Sequence, residues 1–351
     1  MNQLIIYYFY ILTCVVYFIE LLKQFIHNLI IIVYMKLNKN KYQIDIDMLK
    51  HKYGVVRDKH ILFDEPSHIY TILIDPGVKY TSVTTWNHGH FEQFNADKII
   101  ASMMASPKWP QNKYYGKSVE EIKALWDKNR DVAAAMGTCM HYMIEMFMNI
   151  DIHKTNATLG DILDYYNNTI SDSSAQSRHP LYIALQHPKL TYIDDVVNAG
   201  GITCEWQYFL NFAANHRDLI PYRTEWTVFD EDLKLSGSID MLFCDTDGNF
   251  HIYDWKRSRD IVKTNGWNKY SHIECIDHLP DTNYWHYCLQ LNTYKEILQR
   301  KYNIKINDLY LVCLHPENKN NNYLKIKVVD LSNEMQDLFE VRKLKLMSSS
   351  K

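Results

Sequence analysis

Residues 233–256 read LKLSGSIDMLFCDTDGNFHIYDWK. Two apolar-rich runs, 233–244 and 249–256, flank Asp245-Thr246-Asp247-Gly248-Asn249. Gly, Asp and Asn supply the backbone freedom of a tight turn, so the segment reads as a β-hairpin. The preceding run 222–229 (YRTEWTVF) adds a third strand. Residues 204–214 before it and 284–302 after it carry helical patterns. Strand-like runs follow at 308–314 (DLYLVCL) and 323–329 (YLKIKVV), then a final amphipathic helix from about 333 to 346. The order helix, three strands, helix, strand predicts a mixed α/β sheet with helices on its faces.

The hairpin also carries the chemistry. Asp254 and Lys256 are two apart in a strand, so their side chains leave the same face. Asp240 lies on the partner strand across the turn. Two carboxylates and a lysine meeting there would make a divalent-cation site with an adjacent positive charge, which suits phosphodiester hydrolysis. Taken alone, Asp-x-Lys equally describes a solvated strand edge with its own ion pair. The neighbours Ile252, Tyr253 and Trp255 are not those of a charged edge. Gly237 leaves room for a backbone or a phosphate to approach.

Asp131–Met148 (DVAAAMGTCMHYMIEMFM) reads as a strong helix. It puts His141 and Glu145 on one face, four residues apart. A neutral imidazole and a carboxylate there could complete a metal shell; a core histidine bonded to its neighbouring carboxylate is the alternative. Upstream, 59–75 alternates as strands around Asp64-Glu65-Pro66-Ser67, and 95–105 and 118–128 read as two further helices. The second opens with Ser118 and Glu121 at capping-box spacing. Residues 151–200 are polar and read as an insertion with short helices.

The chain has 351 residues, 47% apolar and 23% charged, which excludes a disordered chain or a disulfide-stapled miniprotein. The balance of 38 basic against 41 acidic residues, a net −3, weighs against a generic basic nucleic-acid binder but not against a nuclease that holds cations. Seven cysteines, with no C-x-x-C clip, argue against a disulfide framework, a zinc ribbon or a four-cysteine iron–sulfur site, and for a reducing, intracellular compartment. Basic residues nevertheless cluster after the hairpin: Lys256, Arg257, Arg259, Lys263 and Lys269, with Trp267 and Tyr270 interleaved. A second cluster runs Lys108, Trp109, Lys113, Tyr114, Tyr115 and Lys117. Both patterns suit backbone contacts plus base stacking, and both also suit solvated loops.

In order and spacing the chain resembles the RecB-like branch of the PD-(D/E)XK nuclease superfamily. The resemblance rests on Gly137-Thr138…His141…Glu145, Glu225, Gly237-x-x-Asp240, Asp254-x-Lys256 and Gln290-x-x-x-Tyr294, and covers roughly residues 59–315. Tyr80–Thr85 (YTSVTT) is similar to a segment of mitochondrial genome maintenance exonucleases. Ile239 stands where the superfamily's name has proline.

The resemblance implies a restriction-endonuclease-like mixed central sheet flanked by helices, with an N-terminal extension and a helical insertion. It implies a Mg²⁺- or Mn²⁺-dependent nuclease acting on DNA, probing single strands or duplex ends in replication, recombination or repair. It further implies His141, Asp240, Asp254 and the Trp255 carbonyl as metal ligands, with Asp254, Asp240 and Lys256 catalytic. Glu145 would be a further catalytic or auxiliary acid, and Glu225 an auxiliary one. Gln290 and Tyr294 would support the site or contact nucleic acid, with Arg257, Arg259 and Lys263 as further contacts. No P-loop is present, so the nuclease acts alone or with a helicase or replication protein. A catalytically inactive DNA-binding module of the same fold and an RNA-directed endonuclease remain alternatives.

Three segments follow: 1–34, a hydrophobic stretch; 35–128, an N-terminal lobe; and 129–351, the nuclease core with its insertion. Leu4–Ile19 carries no charge. Sixteen helical residues span roughly 24 Å against a hydrocarbon core of ~30 Å, a marginal membrane span. A membrane anchor, an upstream extension preceding a start at Met35, and an interfacial helix are the three readings.

Overall fold

The computed structural model describes residues 47–64, 67–170, 203–266 and 268–349. The hydrophobic stretch 1–34, the later part of the insertion and Trp267 lie outside the described residues. In chain order the α-helices are α1 (Met48–Lys52), α2 (Val83–His88), α3 (Ala96–Met104), α4 (Val119–Met148), α5 (Leu159–Ile170), α6 (Thr203–Asn215), α7 (Asn283–Lys301) and α8 (Ser332–Ser349). The strands are β1 (Ile61–Asp64), β2 (Ile69–Ile72), β3 (Thr81–Ser82), β4 (Ile220–Asp230), β5 (Leu235–Cys244), β6 (Phe250–Lys256), β7 (Ile306–Cys313) and β8 (Leu324–Lys327). Strands β1 and β2 form a separate two-stranded hairpin; the other six form one mixed sheet. Among the described residues no helix is long and apolar enough to cross a membrane.

The β5–β6 hairpin forms where its sequence predicts. Asp245 Oδ1 accepts from the N–H groups of Asp247 and Asn249, and Gly248 takes φ +84°, where a side chain would be strained. The capping box also forms: Ser118 Oγ accepts from Glu121 N at 3.1 Å and Glu121 Oε2 from Ser118 N at 2.7 Å. One expectation changes. The helices read over 118–128 and 131–148 are one continuous helix, α4, so the boundary at 128/129 falls inside it. Lys128-Asn129-Arg130 holds neither Pro nor Gly, and a charged stretch is an exposed turn of helix rather than a break. The lobe upstream also joins the main sheet, because β3 pairs in parallel with Leu235–Ser236 of β5.

Two apolar layers enclose the sheet. On one face Met143 and Phe147 of α4 and Phe209 and Phe212 of α6 pack with Met241, Phe243, Tyr253 and Trp255. On the other, Leu289, Leu291 and Ile297 of α7 pack with Leu242, Ile252, Leu309 and Leu311. Alternation along β6 sends Ile252 to one layer and Tyr253 and Trp255 to the other. Each such side chain, once buried, contributes about 1.5–3 kcal/mol.

The topology opens a cleft in the sheet itself. β4 pairs antiparallel with β5 from Leu235 to Cys244 and so fills one edge of it. The other edge is shared: β3 takes Leu235–Ser236 and β6 takes Met241–Cys244. Gly237–Asp240 is left without a ladder partner on that edge. Beyond Tyr253, β6 continues to Lys256 against β7 only. Strands β5 and β6 therefore part at Asp240 and Asp254, with α4 above the gap and α7 below it.

Candidate active site

Asp240 sits at the fork. Its Oδ2 accepts from Trp255 N at 2.9 Å, supplying the partner that the parted ladder removes. Its carbonyl accepts from Thr224 Oγ1 at 3.0 Å. That second bond has a local cause. Glu225, opposite Asp240 in the β4–β5 register, takes φ +44°. A left-handed non-glycine residue costs on the order of 1–3 kcal/mol and marks a place where the surroundings over-determine the backbone. The twist breaks the ladder at this pair and brings the Glu225 carboxylate into the cleft, where Ser238 Oγ donates to it at 3.3 Å.

His141 descends from α4 into the same fork. Its Nδ1 lies 3.4 Å from Glu225 Oε1 and 3.7 Å from Asp240 Oδ2. Its Nε2 is 3.0 Å from the Trp255 carbonyl, to which an Nε2–H donates. One donor atom each from His141, Glu225 and Asp240 lies within 4.8 Å of the others. The set suits a divalent cation: two carboxylates would offset its charge, and Nδ1, facing both of them, would ligate on giving up its proton while the other ring nitrogen stays fixed by a carbonyl, the usual orienting contact for a ligating histidine. The Trp255 carbonyl, expected as a ligand itself, is already engaged in that contact.

Asp254 and Lys256 leave β6 toward α7. Lys256 Nζ is 2.7 Å from Asp254 Oδ2 and 4.6 Å above the Tyr287 ring. Asp254 is 3% exposed. Its Oδ2 has that ion-pair contact but no aligned hydrogen bond, leaving capacity for a further positive partner. Asp254 is not among the three residues whose donor atoms converge.

Burial and mutual repulsion set the charges. Burial, opposed by Lys256 and reinforced by Asp240, raises the Asp254 carboxyl to about 7. Burial raises Asp240 as well, with His141 opposing. Glu145, one turn along α4 from His141, rises to about 8 through burial and the charges of Glu225 and Asp47. Burial would lower His141, but Asp240 and Glu225 outweigh it and hold the imidazole at about 9. Lys256 is raised despite its burial, through Asp254 and Asp240, so it remains an ammonium. Without a cation the cleft is thus a crowded, partly protonated acidic site, which is the condition a divalent ion relieves.

The remaining expected residues divide. Tyr294 is 3% exposed and bonded to Gln290, and its hydroxyl would lie 2.6 Å from a Cβ on Gly237. Gly237 thus makes room for a tyrosine from α7, not for a phosphate, and Tyr294 braces the cleft from beneath. Arg257 is committed to Glu205, itself 1% exposed, at 2.8 Å. Arg259 is exposed and pairs with Asp260 at 2.8 Å; Lys263 is exposed and lies 4.5 Å over the Tyr284 ring. In the second cluster, Lys113 lies 4.9 Å over the Tyr114 ring, and the Tyr114 hydroxyl accepts from Trp126 Nε1.

Sequence reading missed a chain of groups beside Lys256. His88 Nδ1, on α2, meets His286 Nδ1, on α7, at 3.1 Å, and His286 Nε2 meets Asp281 Oδ1 at 2.9 Å. Phe91 stacks on His286 at 4.1 Å. Burial lowers His88, with further contributions from the charges of His286 and Lys256. Nearly two hundred residues separate its members, so no local spacing signals it.

The sequence profile of the PD-(D/E)XK nuclease superfamily matches residues 111–345. Comparison with curated proteins finds no match. Among solved structures, the chain is similar to a protein from Eubacterium rectale named by assignment as an exonuclease, at 13% identity and a TM-score of 0.25, over 59% of this chain and 70% of that one.

Proposed function

Because this chain belongs to the PD-(D/E)XK nuclease superfamily, we propose that it is a Mg²⁺- or Mn²⁺-dependent deoxyribonuclease, acting as an exonuclease in replication, recombination or repair. The observation that carries this reading is the convergence of His141, Glu225 and Asp240 beside the Asp254–Lys256 pair. A divalent ion held there supplies a water of lowered pKa and neutralises phosphate oxygens.

The chain's own side chains do the rest. Lys256, held as an ammonium by Asp254, is a fixed positive charge for the scissile phosphate and its developing charge; it accepts no proton. Tyr287 covers one side of that ammonium and limits its solvation. Asp254 holds that ammonium in place at 2.7 Å and would set its buried carboxylate beside the ion. Tyr294 and Gln290 keep β5 in place under Asp240. The preference for DNA rests on the motif resemblance alone.

The test is cleavage of end-labelled single-stranded DNA, duplex DNA and RNA by the full chain with Mg²⁺, Mn²⁺ or EDTA. The expected result is metal-dependent release of nucleotides from DNA, lost in Asp240→Asn and Lys256→Ala. Equal cleavage by all three proteins, or none by the wild type under either metal, contradicts the reading.

A further inference from the structure

A second cavity, of about 290 Å³, lies along the β5 edge at its Leu235 end. His90, His272, Arg342 and Lys345 line it together with Thr81 and Thr85, and among the described residues no aspartate or glutamate does. Arg342 is anchored through neutral acceptors only: Nε donates to the Leu233 carbonyl at 2.9 Å, and Nη2 to Thr81 Oγ1 at 3.0 Å and the Lys234 carbonyl at 3.3 Å. Among the described residues no carboxylate forms an ion pair with it. Its charge is therefore held in place without being offset.

His90 is 6% exposed, and its Nε2 has no hydrogen-bond partner among the described residues. Burial, with smaller contributions from His272 and Arg342, lowers it to about 4. The site is built rather than incidental: His90 O accepts from Ser271 Oγ at 2.9 Å and His272 N at 3.1 Å, which fixes the loop that carries His272. An uncompensated arginine and an unsatisfied buried imidazole both cost free energy that a bound oxyanion recovers. A volume at or below the ~300–1,000 Å³ of drug-sized sites suits one phosphate group rather than a whole nucleotide.

The geometry points to a phosphate-binding subsite formed by His90, His272, Arg342 and Lys345. Its ligand is a backbone phosphate of the strand being cut. The cavity borders β3, which pairs with Leu235–Ser236, and Asp240 is four residues farther along the same strand, roughly 13 Å at ~3.3 Å per residue. That separation is within the span of a few nucleotides, so one strand crossing the surface reaches both places. The identity of the phosphate donor rests on the nuclease reading; phosphate binding itself does not.

The experiment is isothermal titration of the full chain with inorganic phosphate in EDTA. The wild type should saturate, and His272→Ala/Lys345→Ala, both exposed positions, should bind at least 10-fold more weakly. Asp240→Asn should bind phosphate as the wild type does, which separates this site from the cleft. No binding by the wild type, or unchanged binding by the double variant with an unaltered circular dichroism spectrum, overturns the subsite. A parallel cleavage assay on an oligodeoxynucleotide distinguishes the sources. A 10-fold rise in KM at constant kcat in the double variant supports the strand phosphate. An unchanged KM alongside lost phosphate binding overturns that assignment in favour of free phosphate.

Discussion

Asp240 Oδ2 accepts the Trp255 backbone N–H at 2.9 Å at the point where the strands carrying the two residues separate. One carboxylate thus closes the fork and forms part of the candidate cation site. The two roles separate by substitution. Asp240→Asn keeps an acceptor for Trp255 N and should fold with near wild-type stability, while cation affinity falls at least 10-fold. Asp240→Ala should also lose about 1–3 kcal/mol for the orphaned N–H. Urea melts with EDTA, set beside Mn²⁺ titrations, check both; equal stability of the two variants would deny Asp240 its structural role.

Glu225 combines its place in the cleft with a left-handed backbone. Glu225→Gly and Glu225→Ala should both weaken cation binding. The glycine variant should nonetheless be more stable than the alanine variant by about 1 kcal/mol, because only glycine takes that conformation freely. The opposite order in chemical denaturation would show that the backbone there is not strained.

Gly237 faces the Tyr294 hydroxyl at a distance that no Cβ tolerates. Gly237→Ala should cost about 1–3 kcal/mol by overpacking. Adding Tyr294→Phe should recover part of that cost, since it removes the closest atom. A double variant no more stable than Gly237→Ala would place the strain elsewhere.

The protonation pattern fixes a pH dependence for the metal-free chain. Asp254, Glu145 and His141 have folded values of about 7, 8 and 9, above their ordinary values of 3.8, 4.5 and 6.5. Between those limits the folded chain holds protons that the unfolded chain has released. Stability is then lost as pH rises from about 4 to about 9. The melting temperature in EDTA should fall from pH 6 to pH 9. Saturating Mg²⁺ should shrink that fall, because the ion displaces the same protons. A melting temperature that rises over this interval in EDTA would reverse the sign and refute the assignment.

Much of this arrangement was legible in local pattern. The hairpin follows from two apolar runs around Asp-Thr-Asp-Gly-Asn, and the start of α4 from Ser118 and Glu121. Helical and strand periodicity put His141 and Glu145 on one side of α4, and Asp254 and Lys256 on one side of β6. What escaped depends on distance or on backbone conformation. Glu225 reads as an auxiliary acid because no spacing reveals a left-handed residue in a strand. Arg257 reads as a nucleic-acid contact because its partner, Glu205, lies fifty-two residues upstream on another element. The His88–His286–Asp281 chain and the cation-lined cavity exist only once α2, α7 and α8 are packed around the sheet. The continuity of α4 escaped because its exposed charged turn resembles a linker.

The most direct measurement of the central claim is pulsed electron paramagnetic resonance of Mn²⁺ bound to the full chain. The wild type should bind the ion with a nitrogen coupling from one imidazole. That coupling should vanish in His141→Ala, and affinity should fall at least 10-fold in Glu225→Gln and in Asp240→Asn. A bound ion with no nitrogen coupling, or one whose affinity is the same in all three variants, would mean that the cleft is not a shared cation site.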